Sequence, residues 1–141
     1  MTDFETHTFD EISIGYTKNF SVKIDEEMLN NFAHISGDFN PLHMDEQHAK
    51  TTQFKRRVCH GMLLASFFSR LIGMYIPGKF SLYFSQSVNF RAPCFIGDDV
   101  TITGTVTEKH NSTKILTLKT VIYNQNEKCL VDGTAKVIVR D

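Results

Sequence analysis

The chain has no tryptophan, three prolines and three cysteines among its 141 residues. Cys59, Cys94 and Cys129 are odd in number and widely spaced, with no Cys-x-x-Cys pair and no recurring Cys/His spacing. A disulfide framework or a zinc module needs such regularity. These residues therefore read as buried free thiols suited to a reducing cytoplasm, and no metal site is expected. No apolar run approaches the ~20 residues of a membrane span, and Met1 to Asp10 lacks the basic-then-apolar order of a signal peptide. No repeat, low-complexity tract or linker interrupts the sequence. The expectation is one soluble, cytoplasmic domain from Phe4 to Asp141, large enough to bury a sizeable core.

Charge of one sign is missing from the middle of the chain. Between Gln47 and Gly97 there is no Asp or Glu, whereas Lys50, Lys55, Arg56, Arg57, Arg70, Lys79 and Arg91 are all basic. The net charge is only −1, so the flanking segments are acidic on balance. Such a basic middle suits a small polyanion, for example the phosphates of coenzyme A. Nucleic acid would be drawn to the same charges. They are interleaved with a very apolar stretch, however, and no helix-turn-helix, zinc-finger or RNP pattern accompanies them, so no nucleic-acid partner is expected. Lys50 and Lys79 read as solvated. A composition of 41% hydrophobic and 22% charged residues leaves no basis for disorder.

Alternation over Lys18 to Ile24 predicts a first strand. Asp25 can cap a helix from Glu26 to about Ser36, with Met28, Leu29, Phe32 and Ala33 on one face. Asp45 to Thr51 reads as a short helix or turn. Gly61 to Tyr75 is apolar nearly all round, which requires the rest of the domain to wrap this helix, and Ile76-Pro77-Gly78 stops it. Four runs rich in β-branched and aromatic residues follow: Ser81 to Phe90, Val100 to Lys109, Lys114 to Asn124 and Lys128 to Val139. The pattern is α+β, a long central helix with a meander of antiparallel strands curled around it.

The chemistry concentrates in Ser36-Gly37-Asp38-Phe39-Asn40-Pro41-Leu42-His43. A helix cannot continue into Pro41, and the residue before a proline is pushed toward extended backbone, so Asp38 and His43 are expected on a bent loop that brings them together. A carboxylate and an imidazole sharing one water can exchange its protons near neutral pH. On spacing alone the run also reads as an ordinary helix end and turn, with Gly37 at the C-terminal cap and Asp38 and Asn40 as turn formers. His7, His34, His48 and His110 have no partner spacing and read as surface residues. His60 reads as a helix-entry residue.

The stretch Phe32-Ala33-His34-Ile35-Ser36-Gly37-Asp38-Phe39-Asn40-Pro41-Leu42-His43, with Ala49 beyond it, resembles the (R)-specific enoyl-CoA hydratase motif of the MaoC-like family. His60-Gly61-Met62-Leu63, Phe90-Arg91-Ala92-Pro93 and Gly97-Asp98 also resemble that family. The resemblance implies a hot-dog fold and at least a homodimer with the sheets side by side. It implies hydration of a trans-2-enoyl-CoA to an (R)-3-hydroxyacyl-CoA, with Asp38 and His43 holding the water. No cofactor is implied, since coenzyme A is part of the substrate.

Within that picture Gly61, at the start of the central helix, supplies a backbone N–H to the thioester oxygen. The resemblance places Ser69 near the acid-base pair, although a back-bonded core hydroxyl is an equal reading. Asn40 fixes the loop. Arg56, Arg57 and Arg91 are candidates for the nucleotide end of coenzyme A. Phe67, Phe68 and Ile72 could border the acyl chain but are core residues by default. One short domain encloses little space, which favours short acyl groups. Rival readings are a hot-dog thioesterase or a carrier-protein dehydratase, and a non-catalytic acyl-CoA-binding module. Many enzymes of the first two kinds carry a catalytic acid on or near the central helix, and residues 60–76 contain none.

Overall fold

The computed structural model describes residues 3–141. β1 (Thr17–Lys23) leads into α1 (Glu26–Ser36), the short helices α2 (Pro41–Met44) and α3 (Glu46–Lys50), and the long α4 (Gly61–Met74). The remaining strands are β2 (Ser81–Gln86), β3 (Asn89–Phe90), β4 (Asp99–His110), β5 (Ile115–Tyr123) and β6 (Cys129–Val139). One antiparallel sheet runs in the order β1-β4-β5-β6-β2, with β3 also paired to β6. Its concave face holds α4, which is the hot-dog arrangement.

Each element follows from local chemistry. The Asp25 carboxylate accepts the Met28 N–H and caps α1, and Gly37 ends it at φ 80°, a left-handed turn that glycine adopts without strain. On β4 the inward positions are Val100, Ile102, Gly104 and Val106, alternating with threonines. A side chain at Gly104 would put its Cβ 2.7 Å from Leu71, so glycine here lets α4 bed closely onto the sheet. Leu63, Leu64, Phe68, Leu71 and Ile72 form the buried face of α4.

Three features differ from the sequence expectations. Only β4, β5 and β6 form a meander. The run from Ser81 to Phe90 splits into β2 and β3, both on β6, because Ser87 crosses over Gly133, where a Cβ would lie 1.8 Å from the Ser87 carbonyl oxygen. Secondly, α4 is not wrapped on all sides by its own chain. Met62 is 58% exposed, and Ser66, Ser69 and Arg70 share that open side. Thirdly, His43 lies on α2 rather than on a loop. Pro41 occupies the first helical position, where its missing N–H has no helical partner to lose, and Asn40 caps the turn.

Cys59 and Cys94 are buried and Cys129 partly so, all as free thiols. His7 is half-buried and bonded to Glu5 at 2.8 Å, unlike the surface position expected of it. Among the described residues no helix is long and apolar enough to cross a membrane.

Candidate active site

A ladder of side-chain-to-backbone bonds shapes the turn after α1. The Asp38 N–H donates to the Ser36 hydroxyl at 3.1 Å, the Asn40 N–H donates to Asp38 Oδ1 at 3.1 Å, and the Leu42 N–H donates to Asn40 Oδ1 at 3.0 Å. The last bond caps α2. Asp38 is exposed, and its second oxygen has no hydrogen bond among the described residues. His43 follows one turn into α2 with Nδ1 2.7 Å from the Val58 carbonyl oxygen. A carbonyl only accepts, so Nδ1 bears the hydrogen and Nε2 presents its lone pair.

A second histidine stands beneath the first. His60 is 1% exposed, and its Nε2 lies 3.1 Å from the Asp38 carbonyl oxygen, which by the same reasoning makes Nε2 the donor. Its ring stacks on His43 with centroids 4.2 Å apart and planes at 29°, and Phe32 packs on it at 4.9 Å. Burial holds His60 below the ordinary imidazole value, partly offset by its bond to the Asp38 carbonyl. One nitrogen or carboxylate oxygen from each of Asp38, His43 and His60 falls within 4.8 Å of the others. A carboxylate oxygen and an imidazole nitrogen this close can share one water.

These groups open into a cleft of about 450 Å³, lined also by Gly61, Met62, Phe90 and Arg91. Gly61 is the first residue of α4, and His60 provides no side-chain cap there. Among the described residues the Gly61 N–H therefore has no acceptor, and it points the positive end of the helix at the cleft. A Cβ on Gly61 would lie 2.7 Å from the Phe90 ring. Cys59 and Cys94 line the same cleft, but the neighbouring Cys59 thiol and burial both push Cys94 up, which disfavours a thiolate nucleophile.

Residues 10–127 match the family described as MaoC like domain. The chain belongs to the MaoC-like family. It is 43% identical over 126 residues to the (R)-specific enoyl-CoA hydratase of Aeromonas caviae, covering 89% of this chain and 94% of that one. Its identity to the (R)-specific enoyl-CoA hydratase of Rhodospirillum rubrum is 39% over 137 residues, covering 97% and 94% of the two chains. The solved (R)-hydratase from A. caviae involved in PHA biosynthesis superposes with a TM-score of 0.89 at 42% identity, covering 91% of this chain and 97% of that one.

In this MaoC-like chain the structure brings Asp38, His43 and Gly61 to one cleft, with Asn40 behind them as the cap of α2. Ser69 is elsewhere. It lies about 12 Å along α4 from Gly61 at the helical rise per residue, in a separate apolar groove with Phe32, Ala65 and Tyr83. Arg57 departs from the expectation of a ligand contact, because its side chain is 8% exposed and turned inward. Its Nε donates to the His43 carbonyl at 2.6 Å, and a terminal nitrogen lies 3.3 Å from Glu26, so the guanidinium holds α2 in place. Arg91 lines the cleft while paired to Asp132 at 3.0 Å, and Arg56 stacks on Phe95 at 3.7 Å.

His60 is the residue that sequence reasoning passed over. Its neighbour Gly61, inside the segment His60-Gly61-Met62-Leu63, was the available signal. Asp98 of the Gly97-Asp98 pair serves the fold, accepting the Phe95 N–H and the Gln125 amide, both at 3.0 Å.

Proposed function

We propose that this protein catalyses the (R)-specific hydration of short trans-2-enoyl-CoA thioesters to (R)-3-hydroxyacyl-CoA. The observation that carries the reading is the convergence of Asp38, His43 and the open Gly61 N–H on one cleft. A water held between the Asp38 carboxylate and His43 Nε2 adds its oxygen to C3 and gives its proton to the pair. The electrons of C2=C3 move toward the thioester carbonyl, whose developing negative charge meets the Gly61 N–H and the helix end. A proton from the pair then reaches C2, and the net change is addition of one water. The pair as a whole takes the proton and returns it, with no role divided between Asp38 and His43. Positioned acid-base groups contribute about 10²- to 10⁴-fold, and one oxyanion donor about 10²- to 10³-fold.

Bulky Phe54, Met62, Leu64 and Phe90 crowd the cleft, which supports short acyl groups. Arg91 at the lining and Arg56 beyond it are the cations available to coenzyme A phosphates. The open side of α4, together with exposed Leu82 and Phe84 on the edge strand β2, supports a second copy of the chain completing the enclosure. Crotonyl-CoA tests the reading. Loss of the conjugated-thioester absorbance without free thiol, giving a product silent to an (S)-specific 3-hydroxyacyl-CoA dehydrogenase, is the expected result. Thiol release would indicate a thioesterase, binding without turnover a non-catalytic acyl-CoA-binding module, and a strong (S) signal would remove the stereochemical assignment.

A further inference from the structure

We infer that His60 is a positioning residue of the hydration, a neutral imidazole that fixes Asp38 and His43 relative to each other and to the Gly61 N–H. The inference rests on the hydratase reading and names a role that reading does not require. Three contacts converge on this one ring. Its Nε2–H reaches the carbonyl of Asp38 itself, 22 residues earlier in the chain, at 3.1 Å. Its face stacks on the His43 ring at 4.2 Å. Its backbone continues directly into Gly61 as the residue preceding α4. The acid-base pair lies on the turn after α1 and on α2, the oxyanion donor at the start of α4, and His60 touches or joins all three groups.

The ring's chemical state follows from its surroundings. Nε2 must carry the hydrogen to satisfy the Asp38 carbonyl, and Nδ1 is buried without a hydrogen-bond partner among the described residues. A purely structural filler at a site this enclosed would be expected to be apolar, since an unsatisfied buried nitrogen is destabilising. The titratable and charged groups facing the ring are His43, Asp38 and Arg57, while α1 contributes only the Phe32 ring. A proton on Nδ1 would set a second positive charge against the catalytic imidazole and Arg57. The site therefore works with His60 neutral, as a rigid donor and a stacking platform. Displacements of about 1 Å in a catalytic constellation cost up to about 10²-fold in rate.

Two variants separate its functions: His60→Phe keeps the stacked ring and deletes the donor, and His60→Gln keeps a donor near Nε2 and deletes the ring. With crotonyl-CoA, each is expected to lower kcat by about 10- to 100-fold while KM stays within about threefold, because the ring, 1% exposed, offers a ligand almost no surface. Nitrogen-15 NMR of histidine-labelled wild-type protein should show one imidazole, lost in His60→Phe, held as the Nε2–H tautomer below the pH at which ordinary histidines protonate. Wild-type kcat in a folded His60→Phe protein would overturn the inference, as would a kcat loss fully accounted for by a fall in the folded fraction. A wild-type protein that fails to hydrate crotonyl-CoA would overturn the hydratase reading and this inference with it. Active wild type with unaffected variants would overturn this inference alone.

Discussion

At the floor of the cleft, Asp38, His43 and His60 each commit a polar atom to the backbone, through the Asn40 N–H, the Val58 carbonyl and the Asp38 carbonyl. Arg91 on the cleft lining and Arg56 outside it, together the rim, are exposed and held by Asp132 and by the face of Phe95. The floor is over-determined, so its groups keep their geometry before any ligand arrives. The rim stays adaptable and screened by solvent, which suits capture of a flexible polyanion rather than bond making. Substitutions at the floor should therefore change turnover, and substitutions at the rim should change binding.

The largest effect should come from the acid-base pair. Asp38→Asn and His43→Ala should each lower kcat on crotonyl-CoA by about 10²- to 10⁴-fold, with melting temperatures near wild type. Gly61→Ala comes next, at about 10²-fold in kcat, because the new methyl group crowds the N–H and meets Phe90 at 2.7 Å. Phe90 is 54% exposed, so thermal unfolding should move little.

Arg57→Ala joins the two regions. It removes a charge-assisted bond to the His43 carbonyl, a class of interaction worth about 1.5–3 kcal/mol, and should lower both stability and kcat. Glu26→Gln should do much less, since Glu26 is 66% exposed.

Acid should act through His60. Its folded-state value is lowered by burial, so the unfolded chain takes up the proton first as pH falls below the imidazole range near ~6.5. Folding stability is then lost with falling pH until the folded-state value is passed, and denaturant titrations should show a smaller acid loss for His60→Phe. The smallest effects belong to the rim. Arg56→Ala and Arg91→Ala should raise KM a few-fold with kcat unchanged, and the penalty should shrink at high salt. A kcat loss insensitive to salt would move either arginine from the rim to the floor.

Local signals were legible in the sequence because local rules fix them. Asp25 and Gly37 bracket α1, Pro77-Gly78 stops the central helix, and β4 shows period-two burial. Asp38 and His43 stood out because the run from Phe32 to His43 resembles the family motif, whereas their spacing alone also fits an ordinary turn. What escaped depends on distant partners. His60 looks like any residue before a helix until the Asp38 carbonyl is folded onto it. Arg57 looks like its neighbour Arg56 until Glu26 and the His43 carbonyl turn it inward. The division of the Ser81 to Phe90 run depends on Gly133, which lies on another strand.

The central claim is that Asp38 and His43 act on one water, and a double-mutant cycle on crotonyl-CoA hydration tests it most directly. If they share the water, the Asp38→Asn, His43→Ala double variant should be no slower than about tenfold below the slower single variant. Independent losses that multiply, with all variants folded, would show two groups doing separate work and contradict the shared-water site.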